Sequence, residues 1–340
     1  MSILEGYAQS QITFVSCIER GRLEDETILM LETLRRNGGA LANARALVVV
    51  GRVGAPLADS TTKALARLNV ELIHDRAINP APWLNYANKL VACTIAQRIA
   101  ATPLVAWLDS DVLIAGEPVG LLLGPGEDFG GRCDFLPPAV HAGDPTNLPY
   151  WKKVCDLVGV RPEQLPFVRI EHLDLDMRLS FNSGVFVWRR STNFAKAYFD
   201  TFVALLSSRI AQYDGTFFTA DQVVIAPILV SENLKWKHLD LADHHMVFQE
   251  MIDGAGAAPN MSRSRVIHYS RSLTHSYRDR FLARLACELP ALHDLVVATP
   301  PLDRASERLL GRLSAALLKA YRGARWRLYA AQVKPVPRGH

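Results

Sequence analysis

From Gln11 to Leu108 the chain switches repeatedly between short β-rich runs and helical patterns, and this alternation restricts its fold more than any other feature. "QITFVSCI" (residues 11–18) and "RALVVVG" (45–51) flank the helical pattern "EDETILMLETLRRNGG", which stops at Gly38-Gly39. A second cycle runs through a helix near Ser60 to Leu68, the strand "NVELIH", a helix from about Trp83 to Ala100 and the strand "PLVAWL". Strands joined through helices predict a mostly parallel, Rossmann-like central sheet with helices on both faces. In such α/β sheets ligands bind beyond the carboxyl ends of the strands. "VAWLDSDVLI" (105–114) places Asp109 and Asp111 at that point.

The pattern then loosens. Residues 124–180 are rich in Pro and Gly, with one short helix near Tyr150 to Val158, and predict a partly irregular excursion over the site. "SFNSGVFVWRR" (180–190) reads as a strand, a helix follows from Thr192 to about Arg209, and "RVIHYS" (265–270) supplies one more strand. The expected organisation is a catalytic domain over 1–300 and, over 301–340, a basic amphipathic helix with a disordered Pro-rich end, "KPVPRGH".

Charge is distributed to match. The formal net charge is +4, yet from Asp303 onward nine basic residues face only Asp303 and Glu307, a net +7, which leaves about −3 for the remainder (29 basic, 32 acidic). A body of that sign is no nucleic-acid binder. On a helical wheel Leu310, Leu313, Leu317, Tyr321, Ala324 and Leu328 form one apolar stripe, while Arg308, Arg312, Lys319 and Arg322 point largely away and Trp326 falls on the basic side. Residues 304–328 therefore read either as a peripheral membrane contact or as a helix packed on the catalytic domain. No apolar run reaches membrane-spanning length and the start "MSILEGYAQSQ" lacks secretory-signal order, so a cytoplasmic protein is expected, peripheral on the inner membrane face if the helix docks there. The five cysteines are scattered and never at CxxC spacing, which suggests neither a disulfide framework nor a zinc site.

Two aspartates flanking Ser110 repel each other unless a cation joins them, since an unperturbed aspartate titrates near ~3.9. Oxygen ligands suit magnesium or manganese, and one added histidine tilts the choice to manganese. The DxD spacing alone is weak, because Asp174-Leu-Asp176 repeats it without a preceding apolar strand. Asn182, Ser183 and Gly184 make a polar break at the head of an apolar strand, suited to sugar hydroxyls or to a turn. Asp221 opens a helical pattern, where an N-cap is the simpler role.

Read in order, "NKLVACTIAQRIAATPLVAWLDSDVLI", "SFNSGVFVWRRS", "TADQVVI" and "VIHYS" resemble the successive motifs of retaining glycosyltransferases of family 8, particularly glycogenin-like enzymes, across roughly Ile12 to Tyr277. The resemblance implies a GT-A fold and transfer of a hexose, glucose or galactose, from a UDP-sugar to a hydroxyl acceptor. It assigns Asp109, Asp111 and His268 as ligands of manganese, with magnesium as the alternative. Lys89, Asp109, Ser110, Ser183, Gly184 and Gln222 fall at donor-binding positions, and Asp221 and Asn182 at catalytic ones. A solvated helix lysine is the other reading of Lys89. Two departures stand out. The family's glycine and clamping lysine after the histidine are missing from "HYSRSLTHSYRD", where Arg271, His275 or Arg278 could take over, and Arg271 is counted with the donor site. The excursion from Cys133 to Leu179 is longer than in glycogenin-like enzymes, which implies a different acceptor, and if the C-terminal helix docks on a membrane that acceptor is expected to be an envelope glycan or lipid-linked saccharide.

Two other classes fit less well. A catalytically silent sugar-nucleotide-binding protein would explain the missing lysine. A haloacid-dehalogenase-like phosphatase also carries DxD after a strand, but wants Thr or Val where this chain has Leu113.

Overall fold

The computed structural model describes residues 9–133, 138–170, 174–212, 214, 219–247, 259–273, 277–299 and 309–339. The expected alternation is present: β1 (Ile12–Cys17), α1 (Arg22–Asn37), β2 (Arg45–Val50), α2 (Asp59–Arg67), β3 (Glu71–His74), α3 (Ala87–Ile99) and β4 (Leu104–Leu108). After Asp109-Ser110-Asp111 come β5 (Val112–Ile114), β6 (Phe129–Cys133), α4 (Leu148–Asp156), the hairpin β7 (Phe167–Ile170) and β8 (Leu175–Arg178), then β9 (Phe181–Arg189), α5 (Phe194–Ser208) and β10 (Ile210–Ala211). The remainder is α6 (Ala220–Val223), α7 (Ile225–Ser231), β11 (Trp236–His238), β12 (His245–Met246), β13 (Val266–His268), α8 (Arg278–Glu288), α9 (Pro290–Ala298), α10 (Leu309–Ala330) and β14 (Lys334–Pro335). Arg304, Arg308 and His275 lie outside the described residues.

Seven strands form the central sheet in the order β11-β6-β9-β4-β1-β2-β3. Within it β9 is antiparallel to both neighbours, and every other pairing is parallel. Parallel neighbours need crossovers, which the helices supply, and the two-residue period of the strands then divides the core. Val15, Leu47, Val49, Val105 and Trp107 pack with residues of α3 and α5. Phe14, Ala46, Val48, Leu104 and Ala106 pack on the other face with α1 and α2. Both faces are covered, which is why these strands read as continuous apolar runs. A smaller sheet, β12-β13-β5, packs Leu113 and Ile267 against α8 and α9.

Three expectations need correction. The helix expected from Trp83 begins at Ala87. Pro80 and Pro82 restrict the approach, and residues 81–89 instead turn through Leu84 N to Ala81 O and Asn88 N to Asn85 O. The excursion is less irregular than its composition suggests, because β6 lies inside the central sheet and Tyr150, Trp151 and Val154 of α4 are buried in the main core. Glycines disguise that strand: an added Cβ at Gly131 would come within 2.8 Å of Phe181 and 2.9 Å of Phe129, so the close aromatic packing requires a bare backbone.

The Pro-rich end, expected to be disordered, is also ordered. β14 pairs in parallel with β10. Its bonds use the amides of Lys334 (to Arg209 O, 2.7 Å) and Val336 (to Ala211 O, 3.0 Å), so Pro335 and Pro337 occupy positions where no amide is required. No described helix is long and apolar enough to cross a membrane.

Of the two readings of the C-terminal helix, packing on the rest of the chain is present. Trp326 and Tyr329 lie against Trp83, with ring centroids 6.1 and 5.0 Å away, and Arg322 Nη1 reaches Glu19 Oε2 at 3.1 Å. This explains Trp326 on the basic side: that side faces the protein. Leu317, Tyr321 and Leu328, on the opposite side, remain 72%, 54% and 59% exposed.

Candidate active site

β4 delivers Asp109 at its carboxyl end, and Asp109 N donates to Gly184 O at 2.8 Å, which ties the DxD turn to the polar break in β9. β5 then turns back against β13, pairing Val112 with His268. Local geometry thereby brings residues 109, 111 and 268 together. Each of Asp109, Asp111 and His268 offers one ligand atom, all within 4.8 Å of one another. His268 Nε2 is 3.4 Å from Asp111 Oδ1 and 4.0 Å from Asp109 Oδ2. Adjacent ligands of one octahedral ion with bonds of ~2.1 Å are ~3 Å apart, so modest contraction would close the set. About a quarter of each carboxylate side chain (26% and 25%) is exposed, which leaves an approach from one side.

The electrostatics point the same way. Burial opposes a charge on His268, but Asp111 and then Asp109 outweigh it and raise its pKa. Burial also works against the Asp111 carboxylate, and His268 beside it nonetheless holds its pKa below the ordinary value. For Asp109, burial wins over Lys89 and raises the pKa, with Asp111 adding to the rise. This corner of the protein draws positive charge. The two carboxylates and one imidazole fit a divalent ion in both donor chemistry and spacing.

A second cluster adjoins the first. Lys89 is buried rather than solvated: its Nζ lies 2.8 Å from Asp221 Oδ2 and 3.1 Å from Asp109 Oδ1, and donates to Ser183 O (2.8 Å) and Ser183 Oγ (2.9 Å). Burial resists its charge, yet Asp109 and Asp221 raise its pKa and keep it an ammonium. Ser183 Oγ completes a triangle with Asp221 Oδ2 at 2.8 Å. Asp221 is not an N-cap: α6 begins at Ala220, and the carboxylate points into this network.

The other predicted residues are placed unequally. Asn182 is buried and its Oδ1 accepts from Gly184 N at 2.8 Å, the local turn bond anticipated for a polar break. Gln222 Oε1 accepts from Ser183 N at 3.4 Å, behind the cluster. Ser110 Oγ turns to Glu26 Oε2 at 3.4 Å. Arg271 is exposed on the turn after β13, where its charge partly offsets the rise that burial and then Asp221 impose on the pKa of Tyr86. Arg278 lies exposed beside Asp279, and Asp174 and Asp176 both pair with Arg169 on the exposed β7-β8 hairpin, an ordinary surface role.

Three neighbours escape a reading of the sequence. Trp107 Nε1 donates to Asp109 Oδ1 at 2.8 Å and aims that carboxylate. Glu26 sits on α1 and its pKa is pushed up to about 7, by burial first and Asp111 second. His244 is fully buried, with Nε2 3.4 Å from His268 Nδ1, and burial drives it strongly towards the neutral form. When His268 is neutral and His244 accepts at Nε2, the His268 proton lies on Nδ1 and its Nε2 lone pair faces the carboxylates, the arrangement a metal ligand needs. Only the tertiary fold brings these groups in.

Gly184 has a role the sequence reading did not give it. A Cβ there would overlap the His268 imidazole. Gly184→Ala should therefore displace the ring and weaken the affinity of this cluster for a divalent ion by ~10-fold or more while the central sheet stays folded. Manganese titration followed by electron paramagnetic resonance would measure this. Unchanged affinity in the variant would show that the ring position is not set by Gly184.

The family described as Rhodobacterales glycosyltransferase domain matches residues 14–233, a span that holds Lys89, the DxD pair, Asn182 to Gly184 and Asp221 but not His268. No curated protein matches the chain. Among solved structures, the bifunctional glycosyltransferase WbbM shares 13% identity at a TM-score of 0.47, covering 85% of this chain and 51% of its own, so this chain spans about half of WbbM. The galactosyltransferase LgtC, in complex with donor and acceptor sugar analogs, shares 12% at 0.47 over 86% and 98%. GlyE of Streptococcus pneumoniae TIGR4 shares 11% at 0.46 over 87% and 66%. Matched over 220 of its 340 residues, this chain belongs to the Rhodobacterales glycosyltransferase domain family and is a glycosyltransferase.

Proposed function

We propose that the protein is a metal-dependent retaining transferase of the glycogenin-like family 8 type, moving glucose or galactose from a UDP-sugar to a hydroxyl acceptor. The observation that carries this reading is the convergence of Asp109, Asp111 and His268 beside the triangle of Lys89, Ser183 and Asp221. Residues 1–300 then form the catalytic unit and 301–340 its extension.

Asp109, Asp111 and His268 would hold manganese, or magnesium. The ion's contribution is to offset the negative charge that grows on the departing diphosphate, worth several kcal/mol. The acceptor oxygen bonds to the anomeric carbon as the carbon–phosphate oxygen bond breaks, and the hydroxyl proton passes to the leaving phosphate or to a base. Asp221 is the carboxylate suited to support the anomeric centre, fixed by Ser183 Oγ and Lys89 Nζ. Retention follows from front-face attack or from a covalent intermediate on that carboxylate. Asn182, Ser183 and Gly184 line the sugar side, with Gln222 behind them. Ser110 and Arg271 lie on the donor side.

UDP release from a panel of UDP-sugars with manganese, with and without envelope glycans, tests the activity. Manganese plus UDP should also raise the Tm, since ligand at ~100-fold excess over Kd stabilises by about 2.7 kcal/mol. His268→Ala and Asp109→Ala should lose most of that rise. No shift with any nucleoside diphosphate would remove the sugar-nucleotide reading, and an equal shift with ADP would move the donor away from UDP.

The acceptor is proposed as an envelope glycan or lipid-linked saccharide met at the cytoplasmic membrane face. What supports this is α10, whose docked side leaves Leu317, Tyr321 and Leu328 exposed with the exposed Arg325 and Arg327 on either flank. An apolar stripe flanked by arginines suits an anionic leaflet, each nearby basic residue adding ~1 kcal/mol. The full chain should float with anionic liposomes, less so at high salt, and Leu317→Gln with Leu328→Gln should abolish flotation. Equal flotation by that variant would leave the stripe without a membrane role.

A further inference from the structure

Between α10 and the carboxyl ends of β1 and β2 lies a cavity of about 1060 Å³. It has room for a nucleotide-sized ligand, as such sites usually span ~300 to 1,000 Å³. Its walls include Glu19 and Arg20 after β1, Arg52 after β2, Trp83 and Tyr86 before α3, and Trp326 from α10. The family match ends at residue 233, well before α10, which therefore lies outside the matched domain.

Sheet order says what this cavity can receive. β9, β4, β1 and β2 are successive neighbours. Asn182 to Gly184 lie on β9 and Asp109 follows β4, whereas the cavity sits over β1 and β2, one and two strands further on. Strands are ~4.8 Å apart, so it opens about 5 to 10 Å from Asp109, on the β1 and β2 side of the sheet and away from Asn182 on β9. A sugar nucleotide with its diphosphate at Asp109 and its sugar towards β9 must send its nucleoside this way.

The chemistry of the walls agrees. Trp83, Tyr86 and Trp326 present flat rings, and four cationic side chains (Arg20, Arg52, Lys319 and Arg322) face two anionic ones (Glu19 and Asp214). Glu19 is occupied: it accepts from Arg52 and Asn88, and from Arg322 Nη1 at 3.1 Å, while Arg322 Nη2 donates to Val53 O at 2.5 Å. That knot fixes α10 over the strand ends. Lys319 remains exposed at the rim.

We infer that α10 completes the donor site, with Trp326 as the wall against which the nucleoside packs and Lys319 as a cation facing its phosphates. This rests on the sugar-nucleotide reading above. The helix is thus a binding element of the enzyme and more than a packed appendage.

The test is UDP binding to the full-length protein with manganese, measured by isothermal titration calorimetry. Trp326→Ala should weaken UDP by about tenfold, as expected for loss of one aromatic contact of ~1.4 kcal/mol. Because Trp326 also packs on Trp83, Lys319→Gln serves as the second variant: it should weaken UDP severalfold, leave the Tm without ligand unchanged, and flatten the salt dependence of binding. Manganese affinity without nucleotide should stay at the wild-type value in both variants. UDP affinity unchanged in both would overturn the role of α10 while leaving the sugar-nucleotide reading intact. Failure of the wild-type protein to bind UDP would overturn both.

Discussion

Asp111→Asn should fold normally and lose about 10³-fold in kcat/KM, equivalent to about 4 kcal/mol of transition-state stabilisation. The substitution is nearly isosteric and removes one charge from a crowded corner. Asp111 stands 3.4 Å from His268 and is one reason the pKa of Glu26 rises to about 7. The fold loses a favourable partner for His268 but also two like-charge repulsions, with Asp109 and Glu26. Stability should therefore move little, whereas the proposed three-ligand ion site, reduced to two charged or basic donors, would hold a metal less well. UDP release at saturating manganese, alongside thermal melting, separates these effects. A folded variant with near-normal, manganese-stimulated turnover would sink both the metal assignment and the mechanism built around it.

The parts of this site that could be read from the sequence are those set by local pattern. β4 is apolar throughout because both faces of its sheet are covered, so Asp109 at its end is conspicuous. The mostly parallel sheet follows from the same runs. What escaped depends on distant partners. Glu24 looks like part of a solvated acidic turn, yet it is fully buried and accepts from Ala58 N at 2.7 Å and Thr61 Oγ at 2.7 Å, 34 and 37 residues away. His244 is one of ten histidines until β13 brings His268 against it. β6 hides behind two glycines, and Trp326 looks misplaced on the helical wheel until Trp83 supplies its partner. In each case hydrophobic periodicity reports which side of an element is buried but not what lies opposite.

Lys89→Met shows how much of the site is also structure, and should destabilise the protein by about 3 to 5 kcal/mol, the usual consequence of stripping one partner from a buried ion pair. Lys89 and Asp221 are 7% and 3% exposed, so neither can turn to water when the other is lost. Methionine fills much the same space but supplies no donor for Asp221 Oδ2, Ser183 O or Ser183 Oγ, each within 2.9 Å of the ammonium. Asp109 keeps Trp107 Nε1 and some exposure, so most of the cost falls on Asp221. It follows that Asp221→Asn should restore part of the loss in the Lys89→Met background, since Asn retains an acceptor for Ser183 Oγ without a buried charge. Urea unfolding of the wild type, both single variants and the double variant would give the coupling energy from shifts in midpoint at constant m-value. A Lys89→Met protein within about 1 kcal/mol of wild type, or a double variant less stable than the Lys89 single, would mean that this cluster is not held together by the ammonium.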